Sequence, residues 1–456
     1  MVKKQKRPVI LSMGGVLPRK IQPVSTIDGI TQKPQAEKES TKTDNKPESA
    51  KKQAPEKVKG PADKRRLSIA GTLGWIRDRI LYMVIPVFIL GIYLFDLENF
   101  PALMSDDGAS KTYEHLSDIE SADYMPMKLL LIGLAKLHLA GQLEARLLSV
   151  AVLLFSLFCF YKLVARWINK RTAVLTLLAY ASSTWLLLQA RQDGVAVLAA
   201  ALVPVLLYCG SLVLRTNSLA ITVIGAILLA QLLFVPGAVW LFLIAASIGL
   251  YYLKEKKSIK NIILPAVLFM SVIVSYMALV INYLSLDSST QLIKLAGAEV
   301  GSLPSLGTMK ATLAELPGQL FINGINDYSI WLYKTPIIDF VSAIFLLAGL
   351  VYLIRTKSHP VGKKIIFSSI ILAILLIAVN GITYISVLLP LIYIIIAVGI
   401  AYLIEQWMSI FPNNPLARLL GIAIILLGMF LICSYHTERY FIGWPETEEY
   451  QRIFES

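Results

Sequence analysis

Apolar runs of about 18 residues or more recur from residue 79 to residue 435, each long enough to cross a ~30 Å hydrocarbon core. In lipid, backbone groups must be satisfied within the protein, which leaves only helices or closed barrels as spanning structures. These are helix-length runs, not ~10-residue alternating segments, and so they select helices. Of the 456 residues 56% are hydrophobic and only 16% are charged, a composition too apolar for a soluble protein of several domains. The expected fold class is an all-α polytopic membrane protein of about eleven transmembrane helices, with outward-facing interfacial helices and loops. The spans are expected at 79–97, 145–165, 172–189, 194–213, 218–235, 236–253, 261–283, 336–354, 365–380, 382–403 and 416–435.

Charge divides the chain into three parts. Residues 1–66 hold 17 Lys/Arg against 7 Asp/Glu, so this stretch carries most of the +13 net charge. It is rich in Lys, Pro, Glu, Ser and Gln and lacks aromatics, which predicts a disordered basic cytoplasmic tail. Such a tail attracts nucleic acid or anionic lipid. Beside a membrane domain the lipid is the expected partner and nucleic acid is not. The polar opening of the chain gives no expectation of a cleaved signal peptide. Residues 67–435 form the expected membrane domain, and residues 436–456 an extracytoplasmic C-terminal tail.

The short links "RWINKR" (166–171), "RTN" (215–217), "KEKKSIK" (254–260) and "RTKSHPVGKK" (355–364) are basic, and all fall on the side of the N-terminal tail. The positive-inside rule places them in the cytoplasm. The carboxylate-rich stretch "MSDDGASKTYEHLSDIESADYMPMK" (104–128) then faces outward, in a plasma (inner) membrane. Within it Asp106 and Asp107 are adjacent. Two carboxylates facing one cleft repel, which raises one pKa and leaves a usable proton acceptor or acid. After it, "YMPMKLLLIGLAKLHLAG" (124–141) is too short and too interrupted to span, and reads as an interfacial or re-entrant helix begun by Pro126. "TMKATLAELPGQLF" (308–321) reads as an amphipathic helix of an outward lid. Arg191, at the outward end of the third run, breaks the charge rule and so invites another task. Cys159, Cys209 and Cys433 lie in apolar runs, and His115, His138, His359 and His436 have no ligand spacing, so no protein-built metal site is expected.

The order of these elements resembles the C-superfamily membrane glycosyltransferases, in the branch of the dolichyl-phosphate-mannose protein mannosyltransferases and aminoarabinose transferases. The resemblance is carried by "SDDGA" (105–109), "YMPMKLLL" (124–131), the Ala-Arg-Leu entry at 145–147, the basic link at 166–171 and "QARQDG" (189–194). It implies transfer of a sugar from a polyprenyl-phosphate donor to a protein, lipid or glycan acceptor on the extracytoplasmic side. It places Asp106 as the catalytic acidic residue, the base that deprotonates or the group that orients the acceptor, with Asp107 as its pair. Arg191, Lys128 and Lys334 become candidates for the donor phosphate, and Asp193 and Tyr124 become supporting residues. Where the family has His before the Pro turn, this chain has Tyr124 and Met125. A carboxylate pair is able to hold a divalent metal such as Mg²⁺ or Mn²⁺, though the resemblance implies none. Two other readings stand beside this one: a transporter or flippase of a lipid-linked substrate, and a catalytically idle scaffold of the same fold.

Overall fold

The computed structural model describes residues 84–99, 115–119, 121–139, 141–191, 196–213, 218–243, 267, 269–275, 277–278, 288–295, 304–325, 331–332, 335–356 and 360–454. The chain divides into two units. The described residues all belong to one of them; the other, residues 15–83, lies outside them. The expected disordered tail, residues 1–66, also lies outside.

The described residues are helical, with no strand among them. Helix α1 (Val84–Leu94) is followed by a turn in which Asp96 takes the left-handed conformation at φ 48°. Helix α2 (Met125–Lys136) begins with Pro126 inside its first turn, where a missing N–H costs nothing. Its twelve residues extend ~18 Å, too short to cross a bilayer. Helix α2 and the segment before it rest on distant parts of the chain. The Tyr124 amide donates to Phe234 O at 2.8 Å, and the Ala122 amide donates to the Gln291 side chain at 2.8 Å. Ile119, Met125, Ile132 and Phe234 form a small separate apolar cluster there.

The bundle follows. Helix α3 (Gln142–Trp167) turns at Asn169, whose side chain accepts from the Thr172 amide and caps α4 (Lys170–Ser182). A bend of 62° at Ser183 separates α4 from α5 (Thr184–Arg191). Then come α6 (Val197–Val213), α7 (Leu219–Leu232), α8 (Ser288–Leu295) and α9 (Leu306–Phe321), the last covering the amphipathic helix expected at 308–321. The final group is α10 (Phe340–Arg355), α11 (Pro360–Asn380), α12 (Ile385–Ile410) and α13 (Pro415–Glu438). A π-helical turn (Arg439–Gly443) continues α13, and α14 (Glu448–Phe454) ends the described chain.

Helix α12 is the centre of the bundle. Every residue from Ile385 to Ala401 is buried, as befits a helix apolar on all sides. It packs on α4, α6, α10, α11 and α13. Its closest neighbour is α10, because Gly349 and Gly399 face each other's backbones. A Cβ on Gly399 would collide with Phe345 O, and one on Gly349 with Ile395 O. Small residues of this kind let membrane helices approach. Helix α13 does the opposite and leaves Leu416, Leu419, Leu420, Leu427 and Phe430 exposed, a surface suited to lipid.

The expectation of about eleven spans is not supported. Four described helices are long and apolar enough to cross a membrane, or five if the bent pair α4–α5 is one span. Among the described residues, the expected spans at 79–97, 194–213, 218–235 and 336–354 contain apolar helices of 10–17 residues. The spans expected at 236–253 and 261–283 fall mostly outside the described residues. The sequence measure counts apolar content, whereas length depends on where each helix stops. The Asp339 cap begins α10 at Phe340, and the Ser183 bend divides one apolar run in two.

Replacing Gly399 with Val should destabilise the bundle by about 2 kcal/mol, because the α10 backbone cannot yield as a side chain would. Gly91→Ala, at a site with no other atom near the added methyl, should leave the thermal midpoint of the detergent-solubilised protein unchanged or slightly raised.

Candidate functional site

A helix ends with carbonyls that have no intrahelical partner, and in an apolar bundle no water supplies one. At the end of α1 two arginines from other helices do so. Arg191 Nη1 donates to Ile92 O at 3.1 Å and Tyr93 O at 3.2 Å, and its Nη2 donates to Asp96 O at 3.1 Å. Arg146 Nη1 donates to Leu97 O at 2.8 Å and Glu98 O at 3.1 Å. Both arginines are fully buried. The Tyr440 and Phe441 rings lie 5.7 and 5.0 Å from the Arg191 guanidinium carbon, giving it cation–π partners. A cation at a helix C-terminus also meets the negative end of the helix dipole. Asn99 Nδ2, donating to Asp96 Oδ1 at 2.9 Å, closes the turn from which residues 100–114 depart.

Of the site residues expected from sequence, Asp106, Asp107, Asp193 and Lys334 lie outside the described residues. Arg191 is turned inward as a clamp on α1. Lys128 is likewise buried, its Nζ donating to Ser121 O (3.0 Å), Ser121 Oγ (2.9 Å) and Asp123 Oδ1 (3.4 Å). It therefore ties the first turn of α2 to the acidic segment before it. Tyr124 stands at the N-cap of α2 in the left-handed conformation, φ 52°. Burial, with Tyr384 and Asp123 nearby, holds its phenol well above the ordinary value, so it keeps its proton and can donate a hydrogen bond. Trp331 is buried against Trp185 at 5.4 Å, and its indole N–H donates to Thr335 O.

A second cluster was not singled out in the sequence. At the α4–α5 bend, Thr184 Oγ1 lies 2.8 Å from His436 Nδ1, and the Thr184 amide donates to that nitrogen at 3.4 Å. His436 Nε2 lies 3.1 Å from Asp339 Oδ2. Asp339 Oδ1 accepts the Ser342 amide at 2.8 Å and so caps α10 as well. All three side chains are buried, and they come from α5, the start of α10 and the last turn of α13. The network assigns the tautomer. A backbone N–H can only donate and a carboxylate only accept, so Nδ1 carries the lone pair and Nε2 the proton. The sequence expectation placed His436 in a C-terminal tail, but in the structure α13 continues through it. The available signal was polar residues inside apolar runs ("YASSTW", "IIDFVS", "CSYHTE"), which in a membrane mark a site or a structural bond.

The clamp fixes a turn, and the Asp–His–Thr set is a buried hydrogen-bonded network that joins α5, the start of α10 and the last turn of α13. Among the described residues no three His, Cys, Asp or Glu side chains converge as a metal ion would need. Arg191→Gln should cost about 3 kcal/mol by leaving α1 carbonyls unsatisfied. Arg191→Lys should recover only part of it, because an ammonium cannot reproduce the planar fork. Thermal unfolding of the purified protein measures both.

No protein-family model and no curated protein sequence matches this chain.

Proposed function

We propose that this protein is a membrane glycosyltransferase that moves a sugar from a polyprenyl-phosphate donor to an acceptor on the extracytoplasmic side. The observation that supports it is the framing of the acidic segment. Residues 100–114, with Asp106 and Asp107, start from a turn held by Arg146 and Arg191. They lead to α2, a helix too short to span whose first turn is anchored by Lys128. A carboxylate loop set between a fixed helix end and a surface helix suits a substrate presented at the membrane interface. The basic links mark the opposite, cytoplasmic side.

In this reading the Asp106 carboxylate takes the proton of the acceptor hydroxyl. The acceptor oxygen bonds to the anomeric carbon as the bond from that carbon to the phosphate oxygen breaks, with inversion. Polyprenyl phosphate leaves with the electron pair. Asp107 keeps the pair's charge poised, and Lys334 and Asp193 are assigned to the donor site. Arg191 and Lys128 act by holding the frame, since both are engaged with protein oxygens.

A transport reading has one observation of its own. Asp339 and His436 are buried beside a broken helix, an arrangement that transporters use for coupling ions.

The deciding experiment is sugar transfer from a panel of polyprenyl-phosphate sugars in proteoliposomes. Asp106→Asn should lower the rate by about 10²–10⁴ while the protein stays folded. Undiminished transfer would remove Asp106 from the chemistry. Substrate translocation without transfer, insensitive to Asp106→Asn, would establish the transport reading instead.

A further inference from the structure

We infer that the end of α13 that carries Arg439 binds the phosphate headgroup of an anionic lipid, whose chains lie along the exposed apolar stripe of that helix. The inference is independent of what the outward loop catalyses.

Helix α13 and its π-turn run for 29 residues, Pro415–Gly443, which is ~43 Å against a hydrocarbon core of ~30 Å. The surplus length must stand in the headgroup layer. Arg418, in the first turn, and Arg439, just past the last, are ~31 Å apart along the axis. From Leu419 to Thr437 the helix holds no Asp, Glu, Lys or Arg. The two arginines therefore mark opposite headgroup levels. Tyr435, Tyr440 and Trp444 gather at the level of Arg439, as interfacial aromatics do.

The neighbouring arginines are taken up by the protein itself. Arg146 and Arg191 donate to α1 carbonyls, and Arg452 pairs with Glu448 at 3.6 Å. Among the described residues no carboxylate pairs with Arg439. Its Nη1 is shielded from solvent and has no hydrogen-bond partner among them, and the Tyr435 ring lies 4.6 Å from its guanidinium carbon. The rest of the side chain stays partly exposed. A snorkelling arginine turns its whole fork to water. This one gives up water on one side without gaining an acceptor, which is unfavourable for a cation. An anion on the open side of the fork offsets that cost, and phosphate oxygens match the planar fork bidentately.

The π-turn and the helix face supply the rest of the site. The Trp444 amide reaches back to Arg439 O at 2.9 Å, and this wider turn sends Tyr440 and Phe441 inward onto Arg191. Arg439 stays in line with Tyr435, one turn before it. Leu431, Leu427, Ile424 and Leu420 continue that line at helical spacing, and all four are exposed. An apolar track that ends in a cation at headgroup depth has the form of a lipid, with chains on the leucines and phosphate on the arginine. A soluble anion would use the arginine alone.

The test is native mass spectrometry of the full-length protein in detergent, titrated with phosphatidylglycerol or with phosphatidylcholine. The wild type should bind the first phosphatidylglycerol about tenfold more tightly than phosphatidylcholine. Arg439→Gln should bring the two lipids level, whereas Arg452→Gln, at an exposed ion pair on α14, should leave the preference as it was. No preference in the wild type overturns the inference, as does an Arg439→Gln profile like the wild type or an equal loss in Arg452→Gln. Displacement of the lipid by an equal concentration of free glycerophosphoglycerol also overturns it, since the apolar stripe would then contribute nothing. If Arg439→Gln does not fold, Arg439→Lys decides. It keeps the charge without the fork, so a preference reduced several-fold supports the site and an unchanged one overturns it.

Discussion

Every backbone N–H and C=O that leaves a helix inside an apolar bundle must find a partner in protein, because neither lipid nor packed side chains offer one. That constraint organises the polar residues of this chain. Arg146 and Arg191 answer it at the end of α1, Tyr93 and His436 at the α4–α5 bend, and Asp339 at the start of α10. Arg191 and His436 stand in short polar stretches at helix ends, "QARQDG" and "SYHTER", whereas Tyr93 and Asp339 stand among apolar residues. Asp339 caps its own helix, and each of the others is sent from one helix to the broken end of another, so the helix ends become the fixed points of the fold.

The apolar part of the bundle is arranged around the same need. Helix α12 is buried on every side and carries its own ladder of hydrogen bonds, so it can be central with few polar partners. The Gly349–Gly399 crossing brings α10 close enough to put the Asp339 cap opposite the last turn of α13. Tyr180 and Tyr393, 4.9 Å apart, fill the space between α4 and α12 just inside the bend. Close packing at the centre thus delivers three polar side chains from distant sequence to one place. Ordinary van der Waals contact sets the register, and the hydrogen bonds fasten it.

How much of this was legible in the sequence follows from the range of each interaction. Hydropathy is local, so the all-helical membrane class and the short helix opened by Pro126 could be read directly. Helix length depends on caps and breaks such as Asp339 and Ser183, and eleven spans were expected where four or five long ones are described. Arg191 was noticed because a lone cation at an outward helix end is out of place. Its partners could not be seen, for they are backbone carbonyls 95–99 residues away. His436 is 252 residues from Thr184 and 97 from Asp339, and nothing local in "CSYHTE" announces either contact. The carboxylate pair Asp106–Asp107 was read from adjacency alone.

Two kinds of polar group inside the bundle therefore differ in what they can do. Arg146 and Arg191 keep their charge under all ordinary conditions, so their bonds to α1 are permanent while the fold lasts. His436 contributes geometry instead of charge: one ring nitrogen faces the opening residue of α5 and the other faces the Asp339 carboxylate, so a single planar ring ties two helix starts together. The two supports lie on the two ends of a single eight-residue helix, Thr184 at its first residue and Arg191 at its last. Helix α5 is therefore held at both ends by polar contacts to other parts of the chain, which is what a helix too short to be stable on its own requires.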